Sequence, residues 1–263
     1  MDRLKIALFQ ADLIWEQAAD NRHKFTRLFE SIAPGTDLIV LPEMFTTGFS
    51  MEPAKLAETM TGETVAWLQQ QAAAMNTAIT GSVIIEENRN FYNRLLWVFP
   101  NGTIRSYDKR HLFTLAGEEK VYTPGKEQLL VEYKGWKIMP LICYDLRFPV
   151  WSRNQFDYDL LLYVANFPDK RGMAWRTLLQ ARAIENQAYT IGLNRVGTDG
   201  NGAYYAGDSC LVNYDGKISQ HLPPREMVAQ FEIKKEEQAT FRKKLAFLPD
   251  QDEFSIHGSI QRD

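Results

Sequence analysis

Three stretches of the 263-residue chain set a titratable residue against an apolar run: Glu43 in VLPEMF, Lys109 in YDKRHLF and Cys143 in LICYDLRF. An amide carbonyl is a poor electrophile. Cleaving it takes a strong nucleophile, a charge aimed at the developing oxyanion and a proton carrier for the poor leaving group. Cys143, Lys109 and Glu43 are residue types that fill those roles. A lysine ammonium favours the thiolate, and a partly desolvated carboxylate at a strand end is expected to have its pKa raised toward the working pH. Each residue also has a plainer reading. A free cysteine usually behaves as a small buried hydrophobe, and an isolated Lys or Glu is usually a solvated surface charge.

A nucleophile must be held rigidly, and residues 137–151 (KIMPLICYDLRFPVW) supply the support. Residues 138–143 are apolar without polar alternation, as expected of a central strand covered on both faces, and they end on Cys143. Carboxyl ends of such strands open onto the crevice where α/β sheets place their ligands. Residues 37–42 (DLIVLP) read as another buried strand, and the first polar residue at its carboxyl end is Glu43. Before it come a strand over 5–10 and an amphipathic helix over 21–32, ended by Pro34 and Gly35. After it come a helix over 62–75, a strand over 78–86, and a hairpin of 93–99 with 103–107 turned at Asn101 and Gly102.

From residue 137 the same order returns. Strand 138–143 answers 6–10, strand 159–165 answers 37–41, helix 172–187 answers 62–75, and strand 189–195 answers 78–84. A second hairpin, 209–213 with 217–220, turns at Asp215 and Gly216. Two β-α-β-α-β-hairpin halves predict two mixed sheets with helices outside, an α/β four-layer α-β-β-α sandwich. Residues 1–250 are expected to form one domain, and the polar, turn-rich residues 251–263 a surface arm or a disordered tail.

A net charge of −3 supplies no basic field for nucleic acid, and no apolar stretch approaches the roughly 20 residues that span a bilayer. The cysteines are Cys143 and Cys210, and a strand pattern begins at Leu4 without a signal-like segment before it, which predicts a reducing cytoplasm. Neither HxxxH nor CxxC spacing occurs, so no metal and no cofactor are expected.

The Glu43, Lys109 and Cys143 stretches resemble the three motifs of the carbon-nitrogen hydrolase (nitrilase) superfamily, in order and spacing, over nearly the whole chain. With all three contexts in that order, coincidence is the weaker explanation. Within the superfamily the chain is most similar to the omega-amidase branch. The resemblance implies a nitrilase-like fold and hydrolysis of the terminal amide of a small 2-oxo acid, such as 2-oxoglutaramate or 2-oxosuccinamate, through a thioester on Cys143. It also implies at least a homodimer, with residues 148–156 as a candidate contact surface. Lys109 and the backbone N–H of Tyr144 would hold the oxyanion, while Glu43 passes a proton to ammonia and then activates water. The second carboxylate implied by the family falls on Glu118, with Glu119 beside it.

A 2-oxo acid amide carries a carboxylate, which an arginine grips well. Arg171, in NFPDKRGMAW, is the first candidate, with Asn166, Phe167 and Trp175 shaping the same pocket and Arg147 and Arg195 as alternatives. A Cys-His pair using His111 is the nearest mechanistic competitor. Hydrolysis of a nitrile, an N-carbamoyl amine or an aliphatic amide would use the same three groups, and a non-catalytic ligand-binding or oligomeric relative is the alternative of another class. Residues 197–207 (GTDGNGAYYAG) lack a phosphate-loop pattern and read as a mobile loop, whereas Glu185 and Asn186 read as a helix-end pair or as support for the site.

Overall fold

The leucine-, isoleucine- and valine-rich runs become the strands of two six-stranded sheets in the computed structural model, which describes residues 2–256. The first half runs β1 (Arg3–Gln10), α1 (Ala18–Phe29), β2 (Leu38–Val40), the single turn α2 (Pro53–Leu56), α3 (Glu63–Met75), β3 (Ala78–Glu87), β4 (Asn90–Val98) and β5 (Ile104–Asp108). The second runs β6 (Val131–Tyr133), β7 (Trp136–Ile142), β8 (Leu160–Ala165), α4 (Gly172–Asn186), β9 (Tyr189–Asn194), β10 (Val196–Thr198), β11 (Tyr204–Ala206), β12 (Cys210–Val212) and β13 (Ile218–His221). Strand β14 (Met227–Lys234) and helix α5 (Lys235–Lys244) follow.

Strand order is β14-β1-β2-β3-β4-β5 in one sheet and β13-β12-β9-β8-β7-β6 in the other. Each has three parallel strands, β1-β2-β3 and β7-β8-β9, continued by an antiparallel pair. Each is closed on its other edge by an antiparallel strand, β14 on β1 and β6 on β7. The two halves therefore match strand for strand.

Parallel strands covered on both faces need apolar side chains on both, and every residue of β8 is buried. The inner faces meet in a core that joins Leu4, Ile6 and Trp97 to Trp136, Ile138 and Leu160. Outside the first sheet, Phe25 and Phe29 of α1 and Leu68 of α3 pack over Phe9, Ile39 and Phe45. Outside the second sheet lies α4, so close that a Cβ on Gly192 would stand 2.4 Å from Leu179 and 2.6 Å from Trp175. The layers are α-β-β-α.

The structure departs from the sequence-based expectation in four places. No α-helix joins β7 to β8; a 3-10 turn, Cys143–Arg147, and irregular chain do so, because no 3.6-residue apolar period runs through the Pro149 region. The β-α-β-α-β order is thus complete only in the first half. Strands β3 and β4 form a hairpin of their own, turned at Asn88 (φ 52°) and Arg89 (φ 64°), a left-handed pair that contains no glycine to announce it. Residues 197–207, expected as a mobile loop, contribute to the hairpin β10–β11, whose tip is tied by Asp199 accepting from the N–H groups of Asn201 and Ala203 and from the hydroxyl of Tyr205. Strand β14 and helix α5 were not among the sequence-based expectations, although Ala229, Phe231 and Ile233 of the strand alternate with Gln230, Glu232 and Lys234. In the expected tail, Gln251 donates to the carbonyl of Asn154 and Gln155 to that of Phe254; residues 257–263 lie outside the described residues.

Candidate active site

Strand ends converge between the two sheets. Glu43 follows β2, Lys109 follows β5, Cys143 follows β7 and Asn166 follows β8, while Glu118 begins a 3-10 turn, Glu118–Lys120. Lys109 Nζ donates to Glu43 Oε1 at 2.9 Å and to Glu118 Oε1 and Oε2 at 3.0 and 2.9 Å. All three side chains are sealed from solvent. Asn93 Nδ2 donates to Glu43 Oε1 at 2.8 Å, and the backbone N–H of Asn166 to Glu43 Oε2 at 2.7 Å. Cys143 Sγ lies 3.9 Å from the Asn166 carbonyl oxygen, and Cys143 and Lys109 share the wall of a cavity of about 350 Å³. The backbone at Cys143 is left-handed (φ 43°), as it is at Met44 beside Glu43. Strain of that kind in non-glycine residues persists where the surroundings over-determine it, and it clusters at functional sites.

Charge in this dry site is unevenly shared. Burial works against an ammonium at Lys109, yet the Glu118 and Glu43 carboxylates prevail and hold its pKa above the usual lysine range. Burial pushes the Cys143 thiol well up, the carboxylate of Glu43 adds to the effect, and Lys109 opposes it without reversing it. The balance favours the protonated thiol. Lys109 favours the thiolate as expected, but its pull is outweighed by burial and by Glu43. Burial also raises Glu118, with Lys109 opposing and Glu43 reinforcing.

The sequence left Glu118 and Glu119 open; Glu118 is the buried one on Lys109, and Glu119 is exposed. Tyr144, Asn166, Phe167 and Arg171 line the cavity, and so does Arg147. The Arg171 guanidinium stands 4.9 Å from the centre of the Phe113 ring and 5.8 Å from that of Phe167, and the Arg147 guanidinium lies 5.6 Å from the centre of the Phe167 ring. Neither guanidinium forms an ion pair among the described residues, so both are available to an anion. Trp175 does not line this cavity. It packs behind Phe167, ring centroids 5.1 Å apart, and donates to the Asp208 carbonyl, because α4 must cover the sheet and its large side chains turn inward.

Arg195 is also off the wall, buried on Asp12 and on the carbonyl of Val196 and facing the Tyr205 ring, where it braces the β10–β11 hairpin. His111 directs Nδ1 at Asp145 (2.8 Å) and stacks on Phe148, which leaves the Cys-His pair without a contact. Asn186 holds the turn at Asn154, and Glu185 pairs with Arg182; neither reaches the site. Sequence reading missed Asn93, a buried amide beside Arg94 in the polar first half of β4, and Phe49, whose ring lies 5.0 Å from Lys109 Nζ. It also missed the hairpin residues Asp199 and Tyr205, which close one side of the cavity.

The family model for carbon-nitrogen hydrolases matches residues 5–243. The chain is 52% identical over 220 residues to the omega-amidase YafV of Escherichia coli strain K12, covering 83% of this chain and 84% of that protein. It is 31% identical over 250 residues to the 2-oxoglutaramate amidase of Bacillus subtilis strain 168, covering 93% and 96%. The crystal structure of XC1258 from Xanthomonas campestris, a CN-hydrolase superfamily protein with an arsenic adduct in its active site, superposes with a TM-score of 0.96 at 44% identity, covering 98% of this chain and all of that one.

Proposed function

The chain belongs to the carbon-nitrogen hydrolase family, hydrolases of carbon-nitrogen bonds other than peptide bonds, and from that premise we propose that it is an omega-amidase releasing ammonia from 2-oxoglutaramate or 2-oxosuccinamate. Cys143 Sγ attacks the amide carbon as its proton passes to Glu43, which the neutral resting thiol requires. Lys109 Nζ and the backbone N–H of Tyr144, in the first turn of a helical segment where such groups lack intrahelical partners, take the oxyanion. Collapse of the tetrahedral species breaks the C–N bond, and Glu43 delivers the proton that lets the nitrogen leave as ammonia. A water then gives a proton to Glu43 and adds to the thioester; loss of the protonated sulfur yields the dicarboxylic acid and restores the resting thiol. Glu118 holds Lys109 in place throughout.

The carboxylate of the substrate lies on Arg171, with Arg147, which also lies against Phe167, as a second cation. The observation that carries this reading is the pair of unneutralised guanidiniums on the same cavity wall system as Cys143 and Lys109. Support for the substrate class comes from the omega-amidase and 2-oxoglutaramate amidase relatives. Ammonia release from 2-oxoglutaramate, a nitrile, an N-carbamoyl amine and a simple aliphatic amide tests it, together with mass spectrometry for an acyl group on Cys143. Inactivity on 2-oxoglutaramate beside strong turnover of a nitrile overturns the substrate.

A homodimer fits the exposed apolar side chains of Val150 and Phe156 in the stretch 148–156, and light scattering on the purified protein checks it. A reducing compartment such as the cytoplasm suits a catalytic thiol.

A further inference from the structure

The turn that carries Cys143 and the strand end that carries Lys109 are tied together by one side chain that touches neither. Asp145 is fully buried and makes four hydrogen bonds. Its Oδ2 accepts from the backbone N–H of Ile142 (3.1 Å) and the hydroxyl of Tyr107 (2.7 Å); its Oδ1 accepts from the backbone N–H of His111 (3.0 Å) and from His111 Nδ1 (2.8 Å). A carboxylate only accepts, so Nδ1 carries the imidazole proton. Ile142 and Asp145 bracket Cys143 in sequence, and Tyr107 and His111 bracket Lys109. The Tyr107 oxygen in turn accepts from the N–H of Arg110 (3.2 Å) and from Trp151 Nε1 (2.9 Å), so the tie has no slack.

We propose that Asp145 is a positioning residue of the reaction: its carboxylate holds Cys143 in its left-handed conformation and fixes the distance between the nucleophile and Lys109. The left-handed backbone at Cys143 needs such a restraint, because nothing in a non-glycine residue favours it. Fully satisfied buried networks supply the required rigidity, and a displacement of about 1 Å at reacting atoms costs on the order of 100-fold in rate. Glu43 and Glu118 cannot substitute for this restraint, since they hold the ammonium of Lys109 and, through Glu118, the N–H of Phe113, but bond no backbone group of the turn 142–147. The inference rests on Cys143 being the nucleophile.

Asparagine at this position keeps the shape but turns one acceptor oxygen into a donor, leaving at least one of the N–H groups of Ile142 or His111 unpaired. For Asp145→Asn we expect kcat to fall roughly 50-fold or more with KM within about threefold, because the substrate-gripping residues are untouched. Alkylation of Cys143 by iodoacetamide, followed by mass spectrometry, is expected to slow about tenfold in protein whose near-ultraviolet circular dichroism is unchanged. Tyr107→Phe removes one donor of the four and is expected to shift kcat and alkylation the same way, about three- to tenfold.

A folded Asp145→Asn with kcat and alkylation within about threefold of the parent overturns the proposal. Should Asp145→Asn fail to fold, Tyr107→Phe decides, and unchanged kcat and alkylation there overturn it equally. The alkylation measurement needs no amide substrate. A parent protein inert on every amide would refute the proposed function and still leave the role of Asp145 to be judged.

Discussion

At the scale of single residues, the site is defined by how little of its charge is free. Lys109 lies between two carboxylates, and the thiol beside them keeps its proton. Removing each group should therefore have a different signature. Cys143→Ala is expected to lower kcat by roughly 1,000-fold or more with no acyl adduct. Glu43→Gln should also lose turnover, yet its pH profile of Cys143 alkylation should move to lower pH, since a negative charge that pushes the thiol up is gone. An upward or unchanged profile would contradict the assigned electrostatics.

Lys109→Ala leaves two buried carboxylates facing each other, and about 3–5 kcal/mol of stability should go with the activity; urea unfolding measures it. Arg171→Met should raise KM for a carboxylated amide far more than for a neutral one, and equal effects would reject its role. The neutral resting thiol could not be inferred from residue types. A lysine and a cysteine that each follow an apolar strand suggest a thiolate, and only the geometry reveals that the lysine is shared between two carboxylates.

At the scale of elements, the parallel strands present their ends to one crevice, but a hairpin closes it. Strands β10 and β11 place Asp199, Asn201 and Tyr205 on the cavity wall, and the tip packs so tightly on Trp15 that a Cβ on Gly200 would stand 2.4 Å from the indole nitrogen. Gly200→Ala should displace this tip, raising KM while leaving kcat near its original value and costing about 1–3 kcal/mol by overpacking. Steady-state kinetics with a denaturant midpoint reads both, and a loss of kcat without change in KM would show that the hairpin does not shape the substrate site. Glycine richness was visible in residues 197–207, but pairing was not, because three-residue strands carry too little alternation to distinguish them from loop. The β3–β4 turn was hidden for a related reason: Asn88 and Arg89 adopt the left-handed conformation without a glycine.

At the scale of the whole molecule, two sheets packed face to face bury several thiols and phenols whose ionisation the fold resists. Burial raises Cys143 from its ordinary value of 9.0 and raises Tyr107 and Tyr158 from 10.0. The sign follows from proton binding: the folded chain keeps protons that the unfolded chain releases, so this stabilisation is complete below about 9 and declines as pH rises beyond it. Urea unfolding between about pH 7 and 11 should show stability falling on the alkaline side, and Cys143→Ala should lessen the first part of the fall; stability that climbs with pH there would contradict it.

The sequence alone determined which strands are central, because β2, β8 and residues 138–142 of β7 are apolar on both faces, and at their carboxyl ends stand Glu43, Asn166 and Cys143. It also determined that the chain repeats, since turn residues and apolar runs recur in the same order. Tertiary structure alone decided which of two adjacent glutamates meets Lys109, that Trp175 serves the core, and that Asp145 ties Tyr107, His111 and Ile142 together. Strand identity is written in local hydrophobic period. Which polar side chains share a buried space depends on where segments 34 to 123 residues apart end against one another, and local pattern carries no record of that.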